Sequence, residues 1–209
     1  MSIEILTQPA FEPVSLTQAR EWLRLESDDT ANTAVLQLLI QAMREDAENL
    51  THRAFISRQL RLNLDGWPSD SLYGSSIELP YPPLISVDSF KYVDTDGVLQ
   101  TLAANQYDVH DESEPAFIIP AHQVTWPTIR QTPNAIQITF TTGYAVGSPP
   151  DEAAAQENIP STLKLWMQTK LATMFEHREQ LIAGTIVAKV PRDFTDGLLD
   201  SITVGTRLF

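Results

Sequence analysis

Apolar side chains recur every three or four residues along one stretch of the chain, which is the spacing of one face of a helix. The members of this stripe are Leu36, Leu39, Ile40, Met43, Ala47 and Leu50. Val35, Leu38 and Ala42 widen the stripe. The pattern predicts a long amphipathic helix over residues 32–51.

Two further helices are predicted from their start signals. Ser15 and Gln18 form the S-x-x-Q pattern of a capping box, so a helix is expected over 16–25, ended by the polar run 26–29. Pro160 suits the first turn of a helix, where its missing N–H costs nothing. The apolar stripe after it, which predicts a helix over 160–179, is made of Leu163, Trp166, Met167, Leu171, Met174 and Phe175.

In the middle of the chain the spacing of the apolar residues changes from every three or four residues to every second residue. Leu60, Leu62 and Leu64 alternate with polar residues, and residues 135–142 alternate in the same way, as half-buried strands do. Shorter strands are predicted over 77–79, 86–93, 99–102 and 107–109, with a hairpin turn at Asp94–Gly97. Residues 143–158 are rich in Gly, Pro, Ala and acids and are interpreted as a linker.

These elements predict an α+β protein. The helices over 16–25, 32–51 and 160–179 are expected to pack as a small α-helical bundle, with an antiparallel β-rich insertion over about 58–142. One domain is expected over 1–182, followed by an extended C-terminal arm over 183–209. The arm carries large apolar side chains without one sustained period, and residues 1–13 are likewise interpreted as an arm without a core of its own.

Composition narrows the functional classes. The chain has 209 residues and no cysteine, so disulfides, thiolate metal sites and cysteine nucleophiles are excluded. Its net charge is −13, and residues 65–157 carry thirteen acidic and only two basic side chains. An acidic surface repels phosphates, so specific nucleic-acid or membrane binding is not expected. The sequence shows no signal peptide and no transmembrane run, and a soluble protein made in the cytoplasm is expected.

Candidate chemistry is sparse. Asp108 and His110 would share one face of a strand, and Asp111, Glu112 and Glu114 follow, so a divalent metal site is one hypothesis. An acidic strand end and loop is the favoured interpretation, because the ligand spacing of known metal motifs is absent. Asp94, Asp96 and Gly97 are interpreted as a turn, and residues 176–179 as the capped end of a helix. No catalytic, cofactor-binding or metal-binding residue is predicted.

Several segments, in this order and spacing, resemble one protein family. They are VSLTQAREWLR (Val14–Arg24), AENLTHRAF (Ala47–Phe55), LPYPPLISVDSFKYVDTDG (Leu79–Gly97), ITFTTGY (Ile138–Tyr144), IPSTLK (Ile159–Lys164) and FEHRE (Phe175–Glu179). Over residues 14–180 the chain looks like the head-tail connector, or adaptor, proteins of long-tailed bacteriophages. The segment after Gly184 has no counterpart in this pattern.

The resemblance implies a structural virion protein and not an enzyme. It implies a ring of this chain with itself, a dodecamer, in the virion neck at the head-tail junction, assembled in the host cytoplasm. The implied partners are the portal protein on one side and a tail-completion or stopper protein on the other. DNA would pass through the ring without specific binding, no cofactor would be needed, and no membrane would be involved. An acidic channel wall is compatible with this, since like charge lowers the sticking of DNA.

The C-terminal arm is the predicted contact with a neighbouring subunit or the portal. Its candidate interface residues are Ile186, Val187, Val190, Phe194, Leu198, Leu199, Leu208 and Phe209. Two other functions stay open: a small acidic metal-binding protein or hydrolase that uses Asp108–Glu114, and another neck or tail-completion protein of the same virion.

Overall fold

The computed structural model describes residues 1–26, 30–68, 75–144, 152–176 and 195–205. The chain divides into two compact units. The β unit comprises residues 1–10 and 56–145, and the helical unit comprises residues 11–55 and 146–209. The combination of helices with antiparallel sheets confirms the α+β class. The single domain expected over 1–182 is thus divided between two units.

The β unit contains a five-stranded and a three-stranded antiparallel sheet. Its strands are β1 (Ser2–Ile5), β2 (Arg58–Leu64), β3 (Ile77–Leu79), β4 (Leu84–Val93), β5 (Leu99–Thr101), β6 (Tyr107–His110), β7 (Ala116–Pro120) and β8 (Ile136–Thr142). The larger sheet has the order β1-β2-β8-β4-β5 and the smaller one β3-β7-β6. The antiparallel insertion predicted over 58–142 is confirmed, with one strand added from the N-terminus.

The period of two explains why the inner strands of the larger sheet are stable. Leu60 and Leu62 of β2 lie opposite Phe140 and Ile138 of β8, and all four side chains are fully buried. Phe90 of β4 continues the same layer beyond Ile138. Because alternate side chains point to one face, each inner strand adds two or three apolar groups to a common core and keeps its polar residues on the other face.

Aromatic rings close the core of the β unit. The indoles of Trp67 and Trp126 stack with centroids 4.6 Å apart, and Phe90 lies 5.6 Å from Trp126 in a tilted arrangement. Each indole N–H is satisfied: that of Trp67 donates to the carbonyl of Pro127 and that of Trp126 to the carbonyl of Ser75, both at 2.9 Å. The scattered tryptophans of the middle segment therefore meet in space as core anchors.

The helical unit contains α1 (Leu16–Trp22), α2 (Thr33–Thr51), α3 (Glu152–Asn158) and α4 (Ser161–Glu176). α2 packs against α4, and α1 contacts both, which confirms the bundle. The capping box of α1 is present, with the Gln18 N–H donating to Ser15 Oγ at 3.1 Å. α1 ends at Trp22 and not at residue 25, because Arg24 adopts a left-handed conformation (φ 57°) that breaks the helical path.

The buried face of α2 is narrower than the predicted stripe. Leu36, Ile40, Met43 and Ala47 are buried, at the expected spacings. Val35 and Leu38 do not widen this face: Leu38 is 67% exposed. Val35 and Leu38 lie on a second, exposed side of the helix and do not belong to the core. None of the described helices has the length and apolarity that crossing a bilayer requires.

Truncating the buried face of α2 should destabilise the helical unit strongly. Met43 lines a small gap between α2 and α4. The other residues that line this gap are Val14, Ile40, Met167 and Leu171. Met43→Ala is expected to cost about 2 to 5 kcal/mol in the free energy of unfolding. Leu38→Ala on the exposed side of the same helix should change it by less than about 0.5 kcal/mol. Denaturant unfolding of both variants checks this, and equal losses would contradict the assigned face.

Two strands and one α-helix among the described residues were not predicted. Residues 2–5, interpreted as part of an arm, pair with β2 as the edge strand β1. Residues 116–120 form β7, the centre of the smaller sheet. The segment interpreted as a linker contains α3 over Glu152–Asn158, where the run EAAAQEN has high helix propensity throughout its first six residues.

Candidate functional site

The described residues contain no group of three or more His, Asp or Glu side chains placed to hold a metal ion. Asp108 and His110 lie on β6, at the edge of the smaller sheet, and both are exposed. The imidazole of His110 stacks on the ring of Phe117, with centroids 4.8 Å apart. The strand therefore uses this histidine for packing against its neighbour β7.

Removing divalent metal should leave stability unchanged. The carboxylates of Asp108–Glu114 are spread along an exposed strand end and loop, so they offer no shared coordination sphere. We expect the melting temperature with a chelator to equal that with added Mg²⁺ or Ca²⁺. A sharp drop on chelation would support the metal-binding hypothesis instead.

Asp94 organises the turn between β4 and β5. Its Oδ1 accepts hydrogen bonds from the backbone N–H groups of Asp96 and Val98 at 3.0 and 2.9 Å, and its Oδ2 accepts from the Gln100 side chain at 2.8 Å. Gly97 follows with φ 86°. The hydrogen bond from Gln100 is the largest cause that holds the pKa of the Asp94 carboxyl below its usual range, followed by the one from the Val98 N–H. The sequence-based interpretation of this site as a turn is confirmed.

The lowered pKa of Asp94 predicts how the turn responds to pH. A carboxylate that is bonded in the folded state stabilises the turn fully above its ordinary pKa, and this stabilisation is lost as the pH falls through the lowered pKa. Carboxyl NMR titration of the native protein should therefore place the pKa of Asp94 below the ordinary value of 3.8. In Gln100→Ala it should move back up, since the first cause of the shift is gone. An unchanged pKa in Gln100→Ala would refute this assignment.

A buried ionic network anchors the helical unit. The guanidinium of Arg44 lies 2.8 Å from Glu12 and 3.0 Å from Glu48, and the side chains of Arg44 and Glu48 are only 4% and 5% exposed. Glu48 also accepts the backbone N–H of Phe55 at 3.2 Å. The side chain of Gln156, on α3, donates to the carbonyl of Glu12 at 3.3 Å. One arginine thus ties α2 to the segment before α1 and to the chain that follows α2.

The electrostatics of this network follow from its burial. Burial raises the pKa of the Glu12 carboxyl, and the neighbouring Arg44 only partly offsets that rise. Burial also lowers the pKa of Arg44, but the carboxylates of Glu12, Glu48 and Glu45 outweigh it, so the pKa is raised overall. Arg44 therefore stays charged, and its charge is compensated inside the unit. The helical pattern of α2 did not predict this role, because Arg44 and Glu48 occupy polar positions next to the apolar stripe.

The outer face of the five-stranded sheet is a polar surface. Asp88 on β4 accepts hydrogen bonds from Gln59 of β2 and from Thr141 of β8, both at 2.8 Å, and from Ser86 at 2.7 Å. Arg61 on the same face lies 3.4 Å from Glu4. The face thus combines neutral hydrogen-bonding groups, the hydrogen-bonded carboxylate of Asp88, the Arg61–Glu4 pair and Lys91, which lies opposite Gln137.

β1 forms an exposed edge of that sheet. All four of its residues are exposed, and its outer side has no paired strand among the described residues. Ile3 and Ile5 are 37% and 48% exposed although they lie opposite the buried Leu62 and Leu60. An edge strand of this kind offers unpaired backbone groups and apolar area to another chain.

The end of the predicted arm belongs partly to the helical unit. Asp196 accepts a hydrogen bond from the indole N–H of Trp166 at 3.1 Å and lies 3.2 Å from the ammonium group of Lys170. The Val204 N–H donates to the carbonyl of Thr51 at 2.9 Å, and Arg53 donates to the carbonyl of Ile202 at the same distance. Residues 195–205 therefore depart from the expectation of an arm without a core.

The predicted interface residues consequently fall into two groups. Leu199 is only 2% exposed and packs within its own chain, and Leu198 is half-buried. The others lie outside the described residues: Ile186, Val187, Val190, Phe194, Leu208 and Phe209. The interface role of those six stays a prediction, as does the capping role of His177 and Arg178, which also lie outside the described residues.

Comparison with known proteins yields structural neighbours only. No family model matches the sequence, and no curated protein matches it. Among solved structures, a chain in the neck of an empty GTA particle, computed with C6 symmetry, superposes with a TM-score of 0.76 at 24% identity. A chain in the virion of a native gene transfer agent (GTA) particle gives 0.73 at 23%, and one in the neck of a native GTA particle, computed with C12 symmetry, gives 0.68 at 23%.

These matches extend over the whole molecule. Each covers 100% of this chain and 98% of the other chain. This chain and each of the three neighbours share one fold. The match in fold thus includes both the β unit and the helical unit.

Proposed function

We propose that this chain is a structural protein of a virion neck and has no enzymatic role. The observation that carries the proposal is the full-length match in fold to chains from the neck of GTA particles. The motif order in residues 14–180, which resembles phage head-tail connectors, is an independent support from the sequence. A fold alone does not specify a function, but fold and motif order agree here.

Within the neck, the proposed role is that of the adaptor. Copies of the chain form a closed ring between the portal protein and the tail-side completion or stopper protein, and the ring lines the channel through which the genome leaves. The proposed copy number is twelve, in keeping with the C12 symmetry used for one neighbour. A closed ring needs head-to-tail contacts, in which two different surfaces of the subunit meet.

The charge of the chain suits a channel that DNA crosses without being held. With a net charge of −13, the ring would repel the phosphate backbone. On the outer face of the five-stranded sheet, the carboxylate of Asp88 and the Arg61–Glu4 pair likewise offer the phosphates little attraction. DNA is therefore a passing partner in this proposal and not a ligand.

Electron microscopy of the purified protein, combined with mass measurement in solution, tests the proposal. Increasing protein concentration should convert subunits into closed rings with a central opening, of a mass near twelve subunits. A protein that stays monomeric at all concentrations and does not form rings on purified portal complexes would contradict it. Rings that bind only tail completion proteins and never the portal would favour another neck or tail-completion role.

A further inference from the structure

We infer that β1 of one copy of this chain pairs with β5 of a neighbouring copy, so that the five-stranded sheet continues from subunit to subunit. The inference rests on the proposed ring, since it supplies one of the contacts between neighbouring subunits. β1 and β5 are the two edge strands of this sheet, and every residue of both strands is exposed. Main-chain hydrogen bonds between sheet edges are a common way for chains to associate.

Exposed apolar side chains gather at these two edges. Among the described residues of the β unit, seven large apolar side chains are exposed, and five of them lie on β1 or β5 or directly before one of these strands. They are Met1, Ile3 and Ile5 at one edge, and Val98 and Leu99 at the other. A contact between the two edges removes apolar area of both from water at once.

The directions of the edge strands suit a cyclic ring. Each neighbouring pair in the order β1-β2-β8-β4-β5 is antiparallel, so β1 and β5 of one chain run in the same direction. Neighbours in a ring of twelve are related by a rotation of about 30°, which turns a strand by no more than that angle. β5 of one copy and β1 of the next therefore meet as a parallel pair.

The outer side of β5 carries the backbone groups of Leu99 and Thr101. In an antiparallel ladder, residues that bond to the adjacent strand alternate with residues whose N–H and C=O point away from it. The Leu102 N–H donates to the carbonyl of Phe90 at 2.8 Å. By alternation, Gln100 bonds toward β4, and the residues on either side of it point outward.

The outer side of β1 carries the backbone groups of Ile3 and Ile5. The Leu6 N–H donates to the carbonyl of Gln59 at 2.9 Å, so the next residue of β1 that bonds to β2 is Glu4. The side chains of Ile3 and Ile5 lie on the core face of the sheet, because the residues opposite them on β2 are fully buried.

One register joins β1 to the whole of β5 and keeps the core faces of both copies continuous. Gln100 lies on the core face, since Tyr92 opposite it packs against the core. In a parallel pair, directly opposite side chains point to the same face, so Gln100 stands opposite Ile3. The pairs are then Ser2 with Leu99, Ile3 with Gln100, and Glu4 with Thr101. The next position in this register brings Met1 beside Val98, which are 74% and 54% exposed.

Disulfide trapping tests the inference, and the natural chain is free of cysteine, so no background thiol interferes. Glu4→Cys and Thr101→Cys are made in separate chains that carry tags of different size, mixed, assembled and oxidised. Adjacent strands lie about 4.8 Å apart, within the Cα separation of about 4.4 to 6.8 Å that disulfides bridge. The expected product is a covalent heterodimer. Glu4→Cys mixed with Asp96→Cys, at the exposed β4–β5 turn, is the matched control and should give no such product.

The outcomes separate this inference from the proposed function. A heterodimer from the Thr101→Cys mixture and not from the control supports the inference. Rings without that heterodimer overturn it and leave the proposed function standing. A disulfide between two Glu4→Cys chains would reveal a two-fold contact between β1 strands and also overturn it. The heterodimer without rings would keep the strand contact and refute the ring, and if neither forms, both fail. Circular dichroism of each variant confirms that it is folded before mixing.

Discussion

Gly143→Ala is expected to destabilise the β unit by about 2 to 6 kcal/mol in the free energy of unfolding. Gly143 directly follows β8 with φ 114°, a conformation that residues with a side chain rarely adopt. An added Cβ would lie 2.5 Å from the carbonyl oxygen of Ile56 and 2.8 Å from the nitrogen of Ser57. Both are backbone atoms, so they cannot rotate away. The Gly143 N–H also donates to the carbonyl of Pro83 at 2.9 Å, which restrains the glycine itself.

The expected loss of stability in Gly143→Ala is the sum of two effects of similar size. The strained backbone costs about 1 to 3 kcal/mol, and overpacking against Ile56 costs about the same. Gly66→Ala is the matched control, because an added Cβ at Gly66 meets no atom within 4 Å. It should change stability by less than about 0.5 kcal/mol. Thermal unfolding of both variants measures the difference, and equal melting temperatures would show that the approach of Gly143 to Ile56 is not as close as described.

Arg44→Met is expected to cost about 3 to 5 kcal/mol in the helical unit. Removing the guanidinium leaves the buried carboxylate of Glu48 and the partly buried one of Glu12 without a compensating charge. Neutralising one of them should recover part of the loss, so Arg44→Met combined with Glu48→Gln should be more stable than Arg44→Met alone. Glutamine keeps an oxygen that can accept the Phe55 N–H.

Arg61→Met is the control for Arg44→Met, because it removes an arginine whose ion pair is exposed to solvent. Arg61 and Glu4 lie 3.4 Å apart, but their side chains are 35% and 55% exposed, so water screens the pair. The expected loss is at most about 1 kcal/mol. Urea unfolding of the four proteins, including the native chain, gives all these differences. If Arg44→Met and Arg61→Met lose the same stability, the Arg44 network does not anchor the unit.

Much of the fold was predictable because periodicity reports which face is buried. The stripe of α2 and the alternation of β2 and β8 predicted elements that the structure confirms within one or two residues. Local signals were equally informative where the chemistry is local, as at the capping box of α1 and the Asp94 turn. Such contacts join residues within a few positions, so the sequence contains both partners side by side.

What could not be predicted depends on residues far apart in the chain. The pairing of β1 with β2 joins residues 2–5 to residues 60–63, and a four-residue strand carries too little pattern to be recognised alone. The contact between Arg44 and Glu12 spans 32 residues and involves polar positions that look solvated in isolation. The burial of Leu199 depends on packing in the helical unit, which the irregular spacing of the tail did not reveal.

The candidate functional site likewise has some features that the sequence predicts and others that it does not. The sequence predicts Asp108 and His110 on one strand, and the structure has both exposed on β6, but an assembly surface has no motif of its own. The exposed edge of β1 depends on its pairing with β2, which lies about 55 residues away along the chain. Exposed edges of this kind are therefore found from what the fold leaves uncovered, and not from residue types.

Cryo-electron microscopy of the complete particle, with the neck reconstructed, tests the central claim most directly. A ring built from copies of this fold, seated between the portal and the tail and surrounding the DNA channel, is the predicted result. The same fold found only in the capsid shell or at the far end of the tail, or a neck with no density for it, would contradict the proposed function.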